Sequence, residues 1–278
     1  MKIAILSFDV EEFDMPFEYG GNPPMDEQID TSTTGLENIL PVLADYQAEA
    51  TFYCTGVYAS SKPEIIQEMS RTHEIASHNY FHSTHKKEDL LNSRKVLEEI
   101  TNKEVKGFRM PRMAPVSDAD LLAAGYSYNA SYNPTYLPGR YDYRHIPRTV
   151  FQQNGLIHIP ASVSPNLRLP LFWIAFHNYP LPYFLYLCQK VVEADGYLHL
   201  YFHPWEFTNY TKLPNGAKYP FYLHRNNGSA MLERFKKLMA FLQKEGFTFK
   251  TTSWLLEQPY LLPALNAEKE QAKAKSSK

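Results

Sequence analysis

The sequence predicts an α/β fold, a distorted or incomplete (β/α) barrel of about seven to eight parallel strands. Eight short apolar runs alternate with helical segments, a pattern typical of parallel β/α units rather than of separate β and α domains. The length of 278 residues suits one barrel-sized domain, and no internal repeat divides it. We expect one domain over residues 1–262 and a disordered tail over residues 263–278, which is charged and has nothing to bury.

Each predicted strand is a short apolar run that ends in polar, Gly or Pro residues. The first run is followed by a cluster of carboxylates, and the seventh run contains a His-Pro pair. The eight predicted strands are residues 2–8, 50–56, 73–78, 107–110, 126–130, 156–160, 197–207 and 247–252.

The predicted helices have apolar residues at helical spacing and recognisable ends. Thr34 and Glu37 have the spacing of a capping box, so we expect the first helix to begin there, after a long Pro- and Gly-containing loop. Residues 160–182 carry five prolines and are predicted to form a loop over the active face. The predicted helices are residues 34–46, 63–71, 88–101, 117–125, 183–194 and 231–246.

A histidine cluster lies between the third strand and the next helix. Residues 77–85 contain three of the ten histidines, and His78 and His82 are four residues apart. This spacing predicts two imidazoles on one side of a helical turn, an arrangement that suits a divalent metal such as Zn²⁺. The alternative is a polar loop whose histidines only form hydrogen bonds.

Carboxylates follow the first strand. Asp9 and Glu11 are two residues apart, so an extended backbone points both to one face, whereas Glu12 points to the other. The carboxyl ends of parallel strands lie together, so we expect His78 at the same end of the fold. Surface carboxylates that cap the loop are the alternative.

Two further strand ends carry groups suited to acid–base chemistry. Arg109 ends the fourth strand ahead of Pro111, and its guanidinium is expected to keep a carboxylate ionised and oriented. His203 precedes Pro204, which favours extended geometry, and an imidazole that titrates near neutrality can donate a proton. His199, four residues earlier, is interpreted as a packing residue of the barrel.

Composition argues against several classes of protein. A formal net charge of −2 argues against general electrostatic affinity for nucleic acid. No apolar run approaches the roughly 20 residues that span a bilayer. Cys54 and Cys188 do not make a disulfide framework, and the apolar N-terminus ends in carboxylates rather than in a cleavage site. We therefore expect a cytoplasmic protein without a membrane span.

Five motifs in sequence order resemble the polysaccharide deacetylases, the NodB-homology superfamily of carbohydrate esterases. The resemblance covers residues 2–252 and differs at Val10, where classical members have a second, metal-binding Asp, and at residues 129–130, which are Asn-Ala rather than Asp-Ser. The matching motifs are SFDVEE at 7–12, ATFYCTG at 50–56, HNYFH at 78–82, RMP at 109–111 and YFHP at 201–204.

The resemblance implies a NodB-homology catalytic domain that removes N-acetyl or O-acetyl groups from a sugar or glycan intermediate. It implies a divalent metal, in the first place Zn²⁺, with Co, Ni or Fe as alternatives, and a carbohydrate or small N-acylated substrate. The implied metal ligands are Glu11, His78 and His82, with Glu12 and Asp9 as alternative carboxylates. The implied catalytic residues are Asp9 as base, Arg109 orienting it, and His203 as acid. The implied substrate-binding residues are Pro111, Tyr132 and Trp205.

Three other interpretations stay open at this point. An amidohydrolase of the same fold could act on cyclic ureides or imides, and a small closed pocket would favour it. A non-catalytic glycan-binding relative is suggested by the missing second Asp. An Fe(II) oxygenase also uses two histidines and one carboxylate, but it leaves Asp9 and His203 without a task.

Overall fold

The computed structural model of the protein describes residues 2–210 and 218–258. The predicted domain boundary at residue 262 and the predicted tail at residues 263–278 lie outside these ranges. All eight runs predicted as strands contain strands, and three short strands are added between residues 136 and 153. The strands are β1 (Lys2–Val10), β2 (Thr51–Cys54), β3 (Glu74–Ser77), β4 (Gly107–Phe108), β5 (Tyr128–Asn129), β6 (Tyr136–Leu137), β7 (Tyr141–Asp142), β8 (Phe151–Gln153), β9 (Leu156–His158), β10 (Tyr197–Phe202) and β11 (Phe247–Lys250).

The main sheet is an incomplete barrel, as predicted. Its order is β10-β1-β2-β3-β4-β5-β9-β8, and every pair is parallel except β8 with β9. Strand β11 pairs with Lys2–Ile5 of β1, below the part of the same edge that pairs with β2. After β9 the chain passes beside β10, where the backbone N–H of Ser162 donates a hydrogen bond to the carbonyl of His199 (2.9 Å).

The helices confirm most of the predicted segments, with one clear correction. The first helix begins at Met25, not at Thr34, and Thr34 lies inside it. Asp26 and Glu27 favour the earlier start because acidic side chains stabilise the first turn of a helix. The helices are α1 (Met25–Asp45), α2 (Gly56–Ser61), α3 (Pro63–Met69), α4 (Lys87–Thr101), α5 (Asp118–Ala123), α6 (Trp173–Asn178), α7 (Leu181–Asp195), α8 (Phe221–His224) and α9 (Ser229–Lys244).

Two corners of the fold differ from the predicted loops. The predicted loop ahead of the first helix contains a 3₁₀ turn at Met15–Tyr19. The predicted loop at residues 160–182 contains α6 and the first residues of α7, and it does lie over the active face, since Phe172 and Trp173 line the cavity there. Within the described ranges, none of the helices has the length and apolarity needed to cross a membrane.

Strand β1 separates two cores by the alternation of its side chains. Every second residue packs beneath the helices, while Ile3 and Ile5 belong to a cluster inside the barrel with Tyr53 and Tyr128. The helix-facing residues of β1 are Ala4, Leu6, Phe8 and Val10. The alternation therefore points Asp9 into the barrel at the carboxyl end of the strand.

Candidate active site

The carboxyl ends of four strands bring most of the predicted site residues together. Asp9 and Glu11 come from the end of β1, His78 follows β3, Arg109 follows β4, and His203 follows β10. The side chains of Asp9, Glu11 and His203 line a cavity of about 190 Å³. Sequence patterns that are distant along the chain thus meet at one edge of the barrel.

The two imidazoles meet across a loop, so the predicted helical turn at residues 78–82 is wrong. Asn79 adopts a positive φ of 66°, and its side-chain amide donates to the carbonyls of Phe81 (2.9 Å) and Thr84 (3.0 Å). These bonds fold the chain back behind His78. As a result the rings of His78 and His82 lie 5.6 Å apart without any helix between them.

Three possible metal-ligand atoms converge in the cavity. Glu11 Oε2 lies 3.0 Å from His78 Nε2 and 3.1 Å from His82 Nε2. The other ring nitrogens contact acceptors, since His78 Nδ1 lies 2.8 Å from the carbonyl oxygen of Arg109 and His82 Nδ1 lies 2.8 Å from Asp14 Oδ1. Both rings therefore carry hydrogen on Nδ1, and in the neutral rings two Nε2 lone pairs face the Glu11 carboxylate.

This donor set fits a divalent cation. The three ligand atoms lie within 4.8 Å of one another, and two imidazole nitrogens with one carboxylate oxygen are a combination that Zn²⁺ and related ions prefer. Three acceptors that face each other repel unless positive charge lies between them. Hydrogen-bond partners on Nδ1 of each metal-binding histidine are also a usual feature of such sites.

The pKa values of Glu11 and His82 also indicate that this site favours positive charge. Burial by itself would raise the pKa of Glu11, but the positive charges of His82 and His203 and a hydrogen bond from His78 hold that pKa well below its usual range. Burial opposes protonation of His82, yet Glu11 and Asp14 raise the pKa of His82 to about 9. In the absence of a cation, protons on the histidines supply the charge.

Two buried carboxylates hold His82 in place: Asp14, which sequence reasoning did not assign, and Glu12, which it named only as an alternative metal ligand. Asp14 bridges His82 Nδ1 and a guanidinium nitrogen of Arg112, which donates to Asp14 Oδ2 at 2.9 Å. Glu12 accepts the backbone N–H of His82 (2.7 Å) and the hydroxyl of Thr55 (2.8 Å). The sequence signal for both was their place in the acidic run after β1, where only Asp9 and Glu11 share a face.

Arg109 fixes one oxygen of Asp9 and leaves the other open. The fully buried guanidinium donates to Asp9 Oδ1 (2.6 Å) and to Ser7 Oγ (3.0 Å). Asp9 Oδ2 lies 4.0 Å from His78 Nε2 and 3.8 Å from His203 Nε2, beside the cavity. Arg109 therefore holds Asp9 in one orientation, with Oδ2 free to face the cavity.

His199 lies inside the barrel below this pair, as predicted. Its Nε2 lies 3.2 Å from Ser7 Oγ and 3.2 Å from a nitrogen of Arg109, and its Nδ1 lies 3.1 Å from the carbonyl oxygen of Pro160. Burial and the charge of Arg109 lower the pKa of His199 to about 3. The residue is thus neutral and supports Arg109 from below.

His203 is held by a carboxylate that sequence reasoning missed. Glu206 Oε1 accepts both the backbone N–H of His203 (2.5 Å) and its ring Nδ1–H (3.0 Å). Burial alone would lower the pKa of His203, but the negative charge of Glu11 and the hydrogen bond to Glu206 raise it. The three-residue spacing from His203 to Glu206, like that of a capping box, was the available signal.

The three predicted substrate-binding residues have different positions. Trp205 lines the cavity, but its indole N–H donates to Glu11 Oε1 (3.0 Å) and its ring stacks on His203 at 4.6 Å. Tyr132 packs outside the cavity wall, with its ring 5.3 Å from that of His158. Pro111 is buried at the start of a 3₁₀ turn that presents Arg112 to the cavity. The placement of Tyr132 and Pro111 gives no support to direct substrate contact.

Aromatic side chains form much of the remaining cavity wall, and charge lies at one side. Arg112 and Arg140 both bind the carboxylate of Glu18, at 3.1 and 2.6 Å. The aromatic residues of the wall are Tyr19, Tyr141, Phe172, Trp173, Tyr201 and Tyr222. Such a wall suits a small polar ligand with flat apolar faces.

The barrel and its site define a class of protein: an α/β-barrel hydrolase with two carboxylates and three histidines at the carboxyl edge of its strands. Residues 26–130 match the model of the family described as polysaccharide deacetylase. This match confirms the resemblance to that family over a range that contains three of the five motifs, those at residues 50–56, 78–82 and 109–111. The match supports a hydrolase of carbon–nitrogen bonds other than peptide bonds.

Solved structures share the fold over nearly the whole chain. A protein of Mycobacterium smegmatis, provisionally assigned as a polysaccharide deacetylase, aligns with a TM-score of 0.60 at 18% identity, covering 92% of this chain and 89% of the other. An allantoinase aligns with a TM-score of 0.59 at 15% identity, covering 90% and 87%. A peptidoglycan N-acetylglucosamine deacetylase aligns with a TM-score of 0.50 at 14% identity, covering 90% and 86%. At these identities the likeness establishes the shared fold.

Proposed function

We propose that the protein is a metal-dependent deacetylase that removes an acetyl group from an N-acetylated or O-acetylated sugar. One observation carries the proposal. One possible ligand atom from each of Glu11, His78 and His82 lies within 4.8 Å of the other two, beside a cavity that Asp9 and His203 also line. A cation site beside a base and an acid is the minimum arrangement for hydrolysis of an amide by water.

Glu11, His78 and His82 would hold the cation. A divalent ion bound there supplies Lewis-acid activation of water and of the acyl carbonyl. The position of Val10 agrees with Glu11 as the proposed carboxylate ligand. Val10 is fully buried among the helix-facing residues of β1, so in this chain its side chain points away from the cavity.

Asp9 is suited to take a proton from the attacking water. Arg109 holds Asp9 Oδ1 and leaves Oδ2 facing the cavity, 3.8 Å from His203 Nε2. The buried guanidinium keeps the carboxylate oriented, which restricts the geometry of proton transfer. The second oxygen is thus the candidate proton acceptor.

His203 is suited to donate a proton to the leaving group. Glu206 fixes its Nδ1–H, so its Nε2 is the nitrogen directed toward Asp9 and the cavity. The raised pKa of His203 favours the protonated ring near neutral pH. An amine leaves poorly without a proton, so this role matters most for an N-acetyl substrate.

The size of the cavity favours a second candidate function as well. Ligand pockets usually measure about 300–1,000 Å³. The cavity here is about 190 Å³. A space of this size suits a single small ring, so hydrolysis of a cyclic ureide or imide by the same residues is the alternative.

The experiment compares two substrate classes with one protein. Protein loaded with Zn²⁺ is incubated with N-acetylglucosamine oligomers or with allantoin, and released acetate and ring-opened product are measured. The proposal predicts acetate release that depends on added metal. Ring opening without acetate release would support the ureide alternative instead.

The matched control is Glu11→Gln, which keeps the size of the side chain and removes its charge. It should abolish metal-dependent turnover with either substrate. Sugar binding without product from the metal-loaded wild type would contradict both proposals and favour a glycan-binding protein.

The predicted cytoplasmic location stays a prediction, which fractionation of native cells would test.

A further inference from the structure

A second buried histidine lies behind the candidate acid. His177, in helix α6, is fully buried, and its Nε2 lies 2.9 Å from Glu206 Oε2. Its Nδ1 contacts the carbonyl oxygen of Arg225. Glu206 also accepts two hydrogen bonds from His203 through Oε1, so both of its oxygens are held. The result is a continuous buried chain from His203 through Glu206 to His177.

Hydrogen-bond donors and acceptors along this chain fix where the protons are. The carbonyl of Arg225 can only accept, so His177 carries hydrogen on Nδ1. A second proton must then lie between His177 Nε2 and Glu206 Oε2, because two acceptors 2.9 Å apart would repel. The pair therefore holds one proton in addition to the one on His203 Nδ1.

The position of this proton matters because Glu206 is fully buried. An isolated buried carboxylate is costly, and a hydrogen-bonded partner offsets that cost. Arg234 of α9 also lies close to His177, but its guanidinium donates to the carbonyls of Phe176 (2.8 Å) and Tyr179 (2.9 Å) rather than to Glu206. His177 is thus the side chain that satisfies the far oxygen of Glu206.

Helix α6 connects these hydrogen-bonded side chains to the cavity wall. Trp173, four residues before His177, packs its ring edge-on against both His203 (5.3 Å) and His177 (5.8 Å). Trp173 lines the cavity, whereas His177 lies behind it. Helix α6 therefore supplies both Trp173 of the cavity wall and His177, which lies behind the candidate acid His203.

We propose that His177 is a positioning residue for the acid: it anchors Glu206 so that Glu206 keeps His203 Nε2 directed into the cavity. His177 touches no substrate and acts only through Glu206. The inference rests on the proposed function for the reaction that His203 serves, but the hydrogen-bonded chain is a property of the fold and can be measured without turnover.

The kinetic experiment compares His177→Phe with His177→Gln. Gln keeps an N–H donor for Glu206, and Phe fills the space without one. For an N-acetyl substrate, kcat of His177→Phe should fall about 10- to 100-fold, part of the 10²- to 10⁴-fold that general acid catalysis contributes. KM should stay unchanged, and His177→Gln should restore most of kcat.

A substrate that does not need the acid separates positioning from folding. The leaving group of 4-nitrophenyl acetate is 4-nitrophenolate, a stable anion that departs without protonation, so His177→Phe should cleave this ester at the wild-type rate. Equal losses on both substrates, a change in KM alone, or no loss on the N-acetyl substrate would overturn the proposal. His158→Phe removes another fully buried imidazole, one that is stacked on Phe151, and should leave both rates unchanged.

Nitrogen NMR of histidine-labelled protein tests the hydrogen-bonded series from His203 through Glu206 to His177, even if the wild type turns over neither substrate. His203 should show hydrogen fixed on Nδ1 in the wild type and in His177→Gln, and an exchanging mixture of ring forms in His177→Phe. Identical His203 signals in all three proteins would overturn the proposal. Absence of turnover with the predicted signals would overturn only the proposed reaction.

Discussion

Two carboxylates at opposite ends of the barrel have opposite surroundings. Glu11, at the carboxyl end, faces the Nε2 atoms of His78 and His82 and accepts one N–H, from Trp205. Glu74, the first residue of β3, lies at the amino end. The two side chains are chemically identical, so their different roles must come from their neighbours.

Glu74 is satisfied by donors alone. It accepts hydrogen bonds from the hydroxyls of Thr51 (2.8 Å) and Tyr128 (2.9 Å) and from the backbone N–H of Ser253 (3.0 Å). These partners come from β2, β5 and the chain after β11, so the carboxylate ties several strands together. Burial raises the pKa of Glu74.

The difference separates a structural carboxylate from a ligand. Donors already complete the hydrogen bonding of Glu74, which needs no cation. Glu11 instead faces the Nε2 atoms of His78 and His82, and in the absence of a cation the charges of protonated His82 and His203 hold the pKa of Glu11 well below its usual range. A carboxylate that faces acceptors therefore indicates a cation site, whereas a carboxylate that faces only donors, such as the half-buried Glu74, indicates a structural role.

Asp9 gives the largest expected effect and tests whether the two carboxylates of the site have separate tasks. In Asp9→Asn the amide oxygen still accepts from Arg109, but the proton acceptor is lost. Turnover should fall about 10²- to 10⁴-fold while bound metal stays at the wild-type level. Steady-state kinetics and metal analysis of one preparation check this; loss of the metal would make Asp9 the ligand instead of the base.

Trp205 tests the support of Glu11. Trp205→Phe keeps a ring against His203 but removes the N–H that holds Glu11 Oε1. Metal affinity should weaken about 10- to 100-fold, the usual cost of losing such an outer partner. Competition with a chelating dye measures it. Trp173→Phe is the control, because Trp173 packs edge-on against Trp205 while the N–H that Glu11 Oε1 accepts comes from Trp205. An equal loss of metal affinity in both variants would contradict the argument.

Glu74 gives a smaller effect of a different kind. In Glu74→Gln one oxygen becomes an N–H₂ group that faces donors, so the free energy of unfolding should fall by about 1–3 kcal/mol. Metal content and kcat should not change. Denaturant unfolding and metal analysis of the same variant check both expectations. Loss of metal from Glu74→Gln would contradict the claim that Glu74 is structural and that only Glu11 is a ligand.

The pH dependence of stability gives the smallest effect. Because the pKa of Glu74 is raised in the folded state, the folded protein binds this proton more tightly than the unfolded chain does. Its contribution to stability therefore falls as pH rises from about 4.5 through the raised pKa. The stability difference between wild type and Glu74→Gln should narrow over that window. Unfolding curves at several pH values measure the difference in the free energy of unfolding between wild type and Glu74→Gln. A difference that stayed constant or widened as pH rose would contradict the prediction.

The two-residue spacing of Asp9 and Glu11 was enough to predict that these side chains share a face, and the structure directs both into the cavity with His203. A different signal, the short apolar run, found all eight parallel strands, because buried strands are short apolar runs that local sequence determines.

Contacts between distant segments could not be predicted in this way. The spacing of His78 and His82 suggested a helical turn, but the side chain of Asn79 stabilises a loop instead. The partnership of Glu206 with His177 joins residues from separate elements, and no local pattern encodes it. Tyr132 follows a strand at the correct edge, yet its ring turns toward His158.

The most direct test of the metal site is the metal content of three proteins after incubation with Zn²⁺ and desalting. The wild type and Glu74→Gln should each retain about one ion per chain, and His78→Ala/His82→Ala should retain none, because two of the three ligands are gone. A wild type that stays empty, or a double variant that binds as much as the wild type, would contradict the claim that Glu11, His78 and His82 form a cation site.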